Sequence, residues 1–488
     1  FAAGAPFGFG ALGAFLGLAI AAGAALSEAN RVRGDAFTGV GIVLSLIFVT
    51  LFITYPLLTV LRSAIWIDGG LSVAQFVKTF SSPLFLFVSN RFTEVDETRM
   101  VALWVAGGAV AGWAIGIMLW ARGALPSTLL VAVIVAPSAT MLGFALALLG
   151  QRTNSPAVRG FLGVASVLPF ITPPFFIGFS MIFLLGRRGL LTYDILGISP
   201  FANPLYGVIG VSLAQILGLA PVAYLIIRGS LNSLNPALEE AATTLGASRW
   251  RVFVDVTWPL VLPGIAASLL LASIESISDF GTPLVLGGDH NLLATEVFLA
   301  LTGRYSQAEA SVYGMVLLLL VLMVFLWSRW MLGVKGFATV TGKPASGAFL
   351  PLPRSLEWIL LALAGLWFSF ILSLYGVIAY GSLVELWGVN NSFTLRHYVE
   401  FRKTVWPVIW YTIQLSAASA VPAMMLGGLI AYLVTRHRFW GRSYLEMGSL
   451  LSFATPGTVM GLANILAFND GTLLFNTTTA NKVISLVL

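Results

Sequence analysis

Runs of about twenty apolar residues recur along this chain, separated by short polar, glycine-bearing or proline-bearing stretches. Each run is long enough to cross a hydrocarbon core of roughly 30 Å as an α-helix. None shows the strict polar–apolar alternation of a membrane barrel strand. The pattern predicts helical spans at roughly 8–26, 38–61, 101–121, 127–150, 160–186, 204–227, 260–280, 311–332, 355–381, 407–434 and 444–468. Composition agrees: 58% of residues are hydrophobic and 9% charged, with a mean hydropathy of +0.93. A soluble domain carries about 25% charged residues. The expected fold class is therefore all-α, a polytopic transmembrane helical bundle.

Several chemistries are excluded early. With no cysteine there is no disulfide, thiolate metal site or cysteine nucleophile. The three histidines, His290, His397 and His437, stand too far apart in sequence to show a ligand spacing. The net charge of +6 suits a protein between anionic leaflets, and no nucleic-acid partner is expected. "GFATVTGKP" (Gly336–Pro344) resembles a phosphate loop at first sight. It has one residue too many between its glycines, and Pro344 stands where a magnesium-binding hydroxyl belongs.

The chain also repeats itself. "LGFALALLGQRTNSPAVRGFLGVASVLPFITPPFFIG" (142–178) can be laid on "LGGLIAYLVTRHRFWGRSYLEMGSLLSFATPGTVMG" (426–461) with one single-residue gap. Gly143 then meets Gly427, Arg152 meets Arg436, Thr172 meets Thr455 and Pro173 meets Pro456. Internal duplication of this kind is common in transporters. The expected organisation is an extra N-terminal hydrophobic segment and loop (1–37), a first half (38–332), a glycine-, proline- and lysine-bearing linker (333–354), and the start of a second half (355–488) that looks incomplete.

Against this apolar background one stretch is conspicuously charged: "NPALEEAATTLGASRWRVFVDVTW", from Asn235 to Trp258. Asn235 is positioned to cap a helix that has Pro236 at its first position. Glu239 and Glu240 fall in its first turns, where the helix dipole favours negative charge. Leu238, Ala241, Ala242 and Leu245 line up as a short apolar face, and Gly246 permits a sharp change of direction. Lysine and arginine favour cytoplasmic loops. Placing this stretch inside also places Arg31, Arg152, Arg159, the linker and Arg436–Arg442 inside, against a smaller set that includes Arg187, Arg188, Arg396, Arg402 and Lys403 outside. The alternative is a helix lying on the membrane surface.

The spacing Glu240-Ala241-Ala242, then Gly246, then Leu262-Pro263 and Ile265 resembles the EAA loop of ABC-importer permeases. "LPFITPPFFIGFSMIFLLGRRGLLT" (168–192) and "ESISDFGTPLVLGGDHNLLATEVFLALTG" (275–303) look like the ferric-iron branch, whose members fuse two permease halves. The resemblance covers roughly 38–65 and 126–470. It implies a type I importer permease fold, internally duplicated, with a coupling loop at 235–258. In that family the loop docks on a cytoplasmic ABC ATPase, which makes Glu239, Glu240, Ala241, Ala242, Gly246, Arg249 and Trp250 the expected coupling residues. It further implies a dimeric ATPase carrying ATP and magnesium, a periplasmic substrate-binding protein, and a multi-pass location in the bacterial inner membrane. The chain itself is expected to bind no cofactor and to be no enzyme. Ferric iron is the expected cargo, with thiamine, polyamine or phosphonate as alternatives in related branches. If 38–61 runs outward, as in that family, and 127–150 runs inward, 101–121 cannot cross once; the alternatives are a re-entrant or interfacial helix at 101–121, or the opposite orientation of 38–61.

Charged and polar groups within spans suggest a transport route. Glu275 and Asp279, four residues apart, are expected to share a helix face, with Ser276 beside them. Thr172, Pro173 and Pro174 suggest a broken helix, as does Thr455 in the repeat. Their structural alternative is simple packing, and no metal-ligand set can be named. A rival class, an ion-coupled secondary transporter or channel using Glu275 and Asp279, leaves the "EEAATTLG" loop without a purpose.

Overall fold

A computed structural model describes residues 9–28, 36–67, 70–82, 84–85, 87–88, 121–166, 168–197, 205–332 and 349–468. Among these, eight helices are long and apolar enough to cross a membrane. They are α1 (Ala36–Ile65), α2 (Ala124–Arg152), α3 (Phe175–Ile195), α4 (Val208–Asn232), α5 (Arg249–Ser278), α6 (Gln307–Ser328), α7 (Arg354–Gly381) and α8 (Trp406–Arg436). The expected span at 8–26 is a helix, Phe9–Glu28, that is not among those eight. The expected span at 101–121 lies outside the described residues.

The expected span at 160–186 is broken next to Thr172, Pro173 and Pro174. A short helix, Pro156–Ala165, is followed by one turn at Leu168–Ile171, and a new helix begins at Pro174. The reason is local: a proline disfavours helical backbone in the residue before it and cannot donate to the preceding turn. Pro173, extended at ψ 139°, starts the new helix instead of kinking an old one. The second half repeats the device. Helix Arg442–Ala454 stops at Thr455, extended at ψ 127° just before Pro456, and Gly457–Phe468 departs at 113°. Each break follows a long helix with one internal proline, Pro137 in α2 and Pro422 in α8. Under the alignment of 142–178 with 426–461, extended upstream, those prolines are one residue out of register.

The chain forms two compact units. One comprises Lys78–Glu296 and Leu319–Thr394. Its core joins α2, α4, α5 and α7 through Leu146, Leu149, Tyr224, Ile227, Val261, Trp367 and Leu374. Because lipid tails are as apolar as leucine, close backbone approach and polar contacts specify such packing more than burial does. Gly143 of α2 provides the approach: a Cβ there would stand 2.5 Å from Ala223 Cβ and 2.6 Å from the Tyr224 backbone nitrogen. Gln151 Nε2 donates to the Leu231 carbonyl at 2.8 Å, near the same end of the pair.

The other unit comprises Phe1–Val77, Val297–Leu318 and Leu395–Leu488. In it α1 packs on α8 through Ile42 and Leu433. The Tyr444 hydroxyl lies 3.0 and 2.7 Å from those of Thr50 and Thr54, beside a π-helical turn at Thr50–Thr54.

A Gly143→Val substitution is expected to lower stability by about 1–3 kcal/mol through overpacking between α2 and α4. Unfolding of the purified protein in mixed micelles measures this. Gly160→Ala is the control, since an added Cβ there meets nothing within 4 Å.

Candidate functional site

The charged segment folds as its residues dictate. Asn235 Oδ1 accepts the Ala237 N–H at 3.0 Å and Pro236 opens helix Pro236–Thr244. The helix closes at Gly246, whose φ of +84° is the left-handed conformation that glycine adopts without strain. The Gly246 and Ala247 amides return to the carbonyls of Thr243 and Ala242. Ser248 then caps a second helix, its Oγ accepting the Arg251 amide at 3.4 Å. The segment is therefore two helices, hinged at Gly246. The second runs from Arg249 through a π-helical turn at Phe253–Thr257 directly into the bilayer as α5.

The face that is buried is the one carrying Pro236 and Glu239. Glu239 is 3% exposed, whereas Leu238 is 47% and Leu245 89% exposed. Glu240, Ala241, Arg249 and Arg251 are exposed too, and Trp250, 70% exposed, stacks on Phe253. A short helix that buries its carboxylate and presents its leucines reverses the arrangement expected of a helix packed on its own protein.

The buried carboxylate is held by Arg152, the last residue of α2, itself 8% exposed. Arg152 Nη2 forms a short ion pair with Glu239 Oε1, and Nη1 donates to Oε2 at 3.3 Å. Thr257 Oγ1 donates to Glu239 Oε1 at 2.7 Å and accepts from Arg152 Nη2 at 3.2 Å. The end of the linker closes the cluster. The Leu350 amide donates to Glu239 Oε2 at 3.2 Å, while its carbonyl accepts from Arg152 Nη1 at 3.1 Å. Phe349 lies under the guanidinium, 5.9 Å from its centre. Breaking one member of a buried pair leaves the other charge uncompensated, so such a cluster behaves as a unit. It ties the charged segment to α2, to the base of α5 and to the strand that enters α7.

The other candidates are dispersed. The helix of α5 ends at Ser278, and Asp279 is already extended, with ψ 120°. Asp279 Oδ1 caps the next short helix through the amides of Gly281 and Thr282, and Oδ2 accepts from Gln215 Nε2 at 2.9 Å. Ser276 is buried and donates to Gln215 Oε1 at 2.7 Å. Asp279 thus serves as a helix cap and a partner of Gln215, while its own amide still donates to the Glu275 carbonyl at 3.0 Å. Glu275 is exposed, and its carboxylate has no hydrogen-bond partner among the described residues. Thr172 bonds the Leu168 carbonyl at 3.2 Å and, closely, the Tyr375 hydroxyl of α7, while Thr455 bonds only its own turn through the Leu451 carbonyl. Among the described residues no group of three or more His, Asp or Glu side chains is placed to hold a metal ion. Arg152, Thr257 and Gln215 were invisible as site residues in the sequence. Arg152 gave one hint, as a conspicuous cation closing an apolar run and recurring as Arg436.

Residues 139–332 match the family described as the binding-protein-dependent transport system inner membrane component. The chain is 37% identical over 358 residues to a putative ferric transport system permease protein, FbpB 1, of Haemophilus influenzae, covering 72% of this chain and 56% of that protein. A ferric transport system permease protein FbpB of Actinobacillus pleuropneumoniae is also 37% identical, with 52% of its length covered. The chain thus spans about half the length of these relatives. The molybdenum transport system permease protein ModB of Escherichia coli K12 is 31% identical over 171 residues, covering 34% of this chain and 73% of that protein.

Arg152→Met is expected to cost about 3–5 kcal/mol by stranding the Glu239 carboxylate. Adding Glu239→Leu should recover most of that loss, since an apolar pair of similar volume replaces an ion pair at little cost. A double-mutant cycle by unfolding in mixed micelles reads the coupling; simple additivity would show that the two groups act separately.

Proposed function

The chain belongs to the family of binding-protein-dependent transport system inner membrane components, and we propose that it is the permease of an ATP-driven importer that carries ferric iron across a bacterial inner membrane. The observation that carries the reading is the outward apolar face of helix Pro236–Thr244 and its hinge: Leu238, Ala241, Leu245 and Trp250 stand exposed while Glu239 is anchored inward. A helix on the membrane surface would also present apolar groups. Here the face is rimmed by Glu240, Arg249 and Arg251, as befits a protein partner with a mixed surface.

In this reading the segment is a coupling helix seated in a cytoplasmic ABC ATPase dimer, which holds the ATP and magnesium. A periplasmic binding protein delivers the cargo to the opposite face. Movement of the ATPase shifts the coupling helix, and α5 carries that shift as one helix from Arg249 to Glu275, roughly 40 Å at 1.5 Å per residue. The Arg152–Glu239 cluster passes the same displacement to α2, so that one bistable element links the nucleotide and cargo sites. Glu275, an exposed carboxylate on that helix, is the pathway group best placed to meet a hard cation. Iron as cargo follows the two ferric relatives.

The reading is tested by uptake of radiolabelled ferric iron into proteoliposomes containing the full-length permease, its ATPase and its binding protein. Uptake should require both ATP and the binding protein. Leu238→Arg with Leu245→Arg should lower ATPase co-purification and uptake about tenfold or more, with unchanged melting, because both side chains are exposed. Glu275→Gln should reduce uptake while leaving ATPase recovery intact; unchanged uptake removes Glu275 from the route. ATP hydrolysis stimulated by the binding protein without iron uptake would keep the importer and discard iron.

A further inference from the structure

At the end of the bundle that carries the coupling segment, a cavity of about 400 Å³ opens between α2, α4 and the short helix Pro156–Ala165. A water molecule occupies about 30 Å³ of liquid, so the space exceeds a hydrated phosphate group. Its walls are unusually polar for this protein: Arg152, Arg159 and Arg228 with Gln151, Asn154 and Asn232. Three guanidinium groups share one concavity, and among the described residues the one carboxylate paired with any of them is Glu239, on Arg152. Glu357 is nearby but accepts from Thr153 Oγ1. Among the described residues neither Arg159 nor Arg228 is paired with a carboxylate. Linker residues 333–348 contain no acidic residue.

The arginines are held in place by neutral partners. Arg159 Nη2 donates to the Thr153 carbonyl at 2.9 Å. Arg228 Nη1 donates to the Tyr224 hydroxyl at 3.1 Å, with the guanidinium 5.6 Å from that ring's centre. Arg152 Nε and Gln151 Oε1 are buried without a partner among the described residues. The planar donor forks of Arg159 and Arg228, prepositioned and without a carboxylate among the described residues, match the oxygens of a phosphate group. Helix Pro156–Ala165, which supplies Arg159, exposes Phe161 and Val164, the apolar groups expected of a helix lying where headgroups meet acyl chains.

We propose that this cavity binds a phosphate-bearing anion, the headgroup of an anionic phospholipid that enters beside Pro156–Ala165. The same chemistry would accept soluble phosphate, and the adjacent apolar helix favours the lipid. The pocket stands independently of the proposed transport role; only its assignment to the cytoplasmic leaflet rests on that role. A bound headgroup would touch the arginine that anchors Glu239, placing lipid composition within reach of the coupling segment.

The test is native mass spectrometry of the delipidated full-length permease with its ATPase, titrated with phosphatidylglycerol, phosphatidylcholine of the same chains, or inorganic phosphate. Phosphatidylglycerol should be retained about tenfold or more over phosphatidylcholine. Arg159→Gln with Arg228→Gln should abolish that preference, at about tenfold for each arginine lost. Melting of the lipid-free double variant serves as the folding control, and the exposed Arg159→Gln alone should still weaken retention severalfold. Phosphate that displaces the lipid, and that raises the melting temperature of the parent protein but not of the variant, would support the site with a soluble source. Equal retention of both lipids, or a folded variant that keeps the preference for phosphatidylglycerol, would overturn the proposal.

Discussion

The charged end of this molecule depends on one buried ion pair. Arg152 closes α2 and Glu239 opens the charged segment, and everything that gives that segment a direction passes through the bond between them. A buried ion pair is a poor source of net stability, since desolvation consumes most of the attraction. Its value is geometric. A carboxylate with two oxygens, and donors from Arg152, Thr257 and the Leu350 amide, has few ways to be satisfied. The pair therefore fixes which side of helix Pro236–Thr244 turns inward, and the apolar side is left facing out by exclusion. The linker end is part of the same lock through both backbone groups of Leu350.

Much of the fold was legible in the sequence because hydrocarbon imposes simple rules. Apolar runs of span length became helices, and Thr-Pro at 172–173 and 455–456 became breaks, since backbone sterics at proline act locally. Gly246 behaved as its lack of a Cβ suggests, with φ +84°. What could not be read was the partner of each polar group. The periodicity of "NPALEEAATT" defines two faces but does not say which is buried. That is decided by Arg152, 87 residues earlier in the chain. The same holds for Asp279. Its spacing from Glu275 suggested a common face, whereas Gln215, 64 residues away, and the amides of Gly281 and Thr282 claim its oxygens.

The polar groups inside the bundle divide accordingly. Ser276, Asp279 and Gln215 form a clamp between α4 and α5, and Thr172 ties the proline break to Tyr375 of α7. These contacts substitute for the hydrophobic drive that helices lack in lipid. Glu275 stands apart, exposed on the helix that continues from the charged segment, and that contrast with its satisfied neighbours makes it the carboxylate to watch.

The central claim is that the outward face of Pro236–Thr244 is a protein-docking surface oriented by Glu239. The absence of cysteine in this chain allows a direct measurement. Single cysteines at Leu238 and Leu245 can be labelled with a membrane-impermeant maleimide, with and without the ATPase. The account predicts rapid labelling at both positions in the free permease and strong protection of both in the complex. Labelling at Leu238 and Leu245 that is unchanged in a demonstrably assembled complex would contradict it.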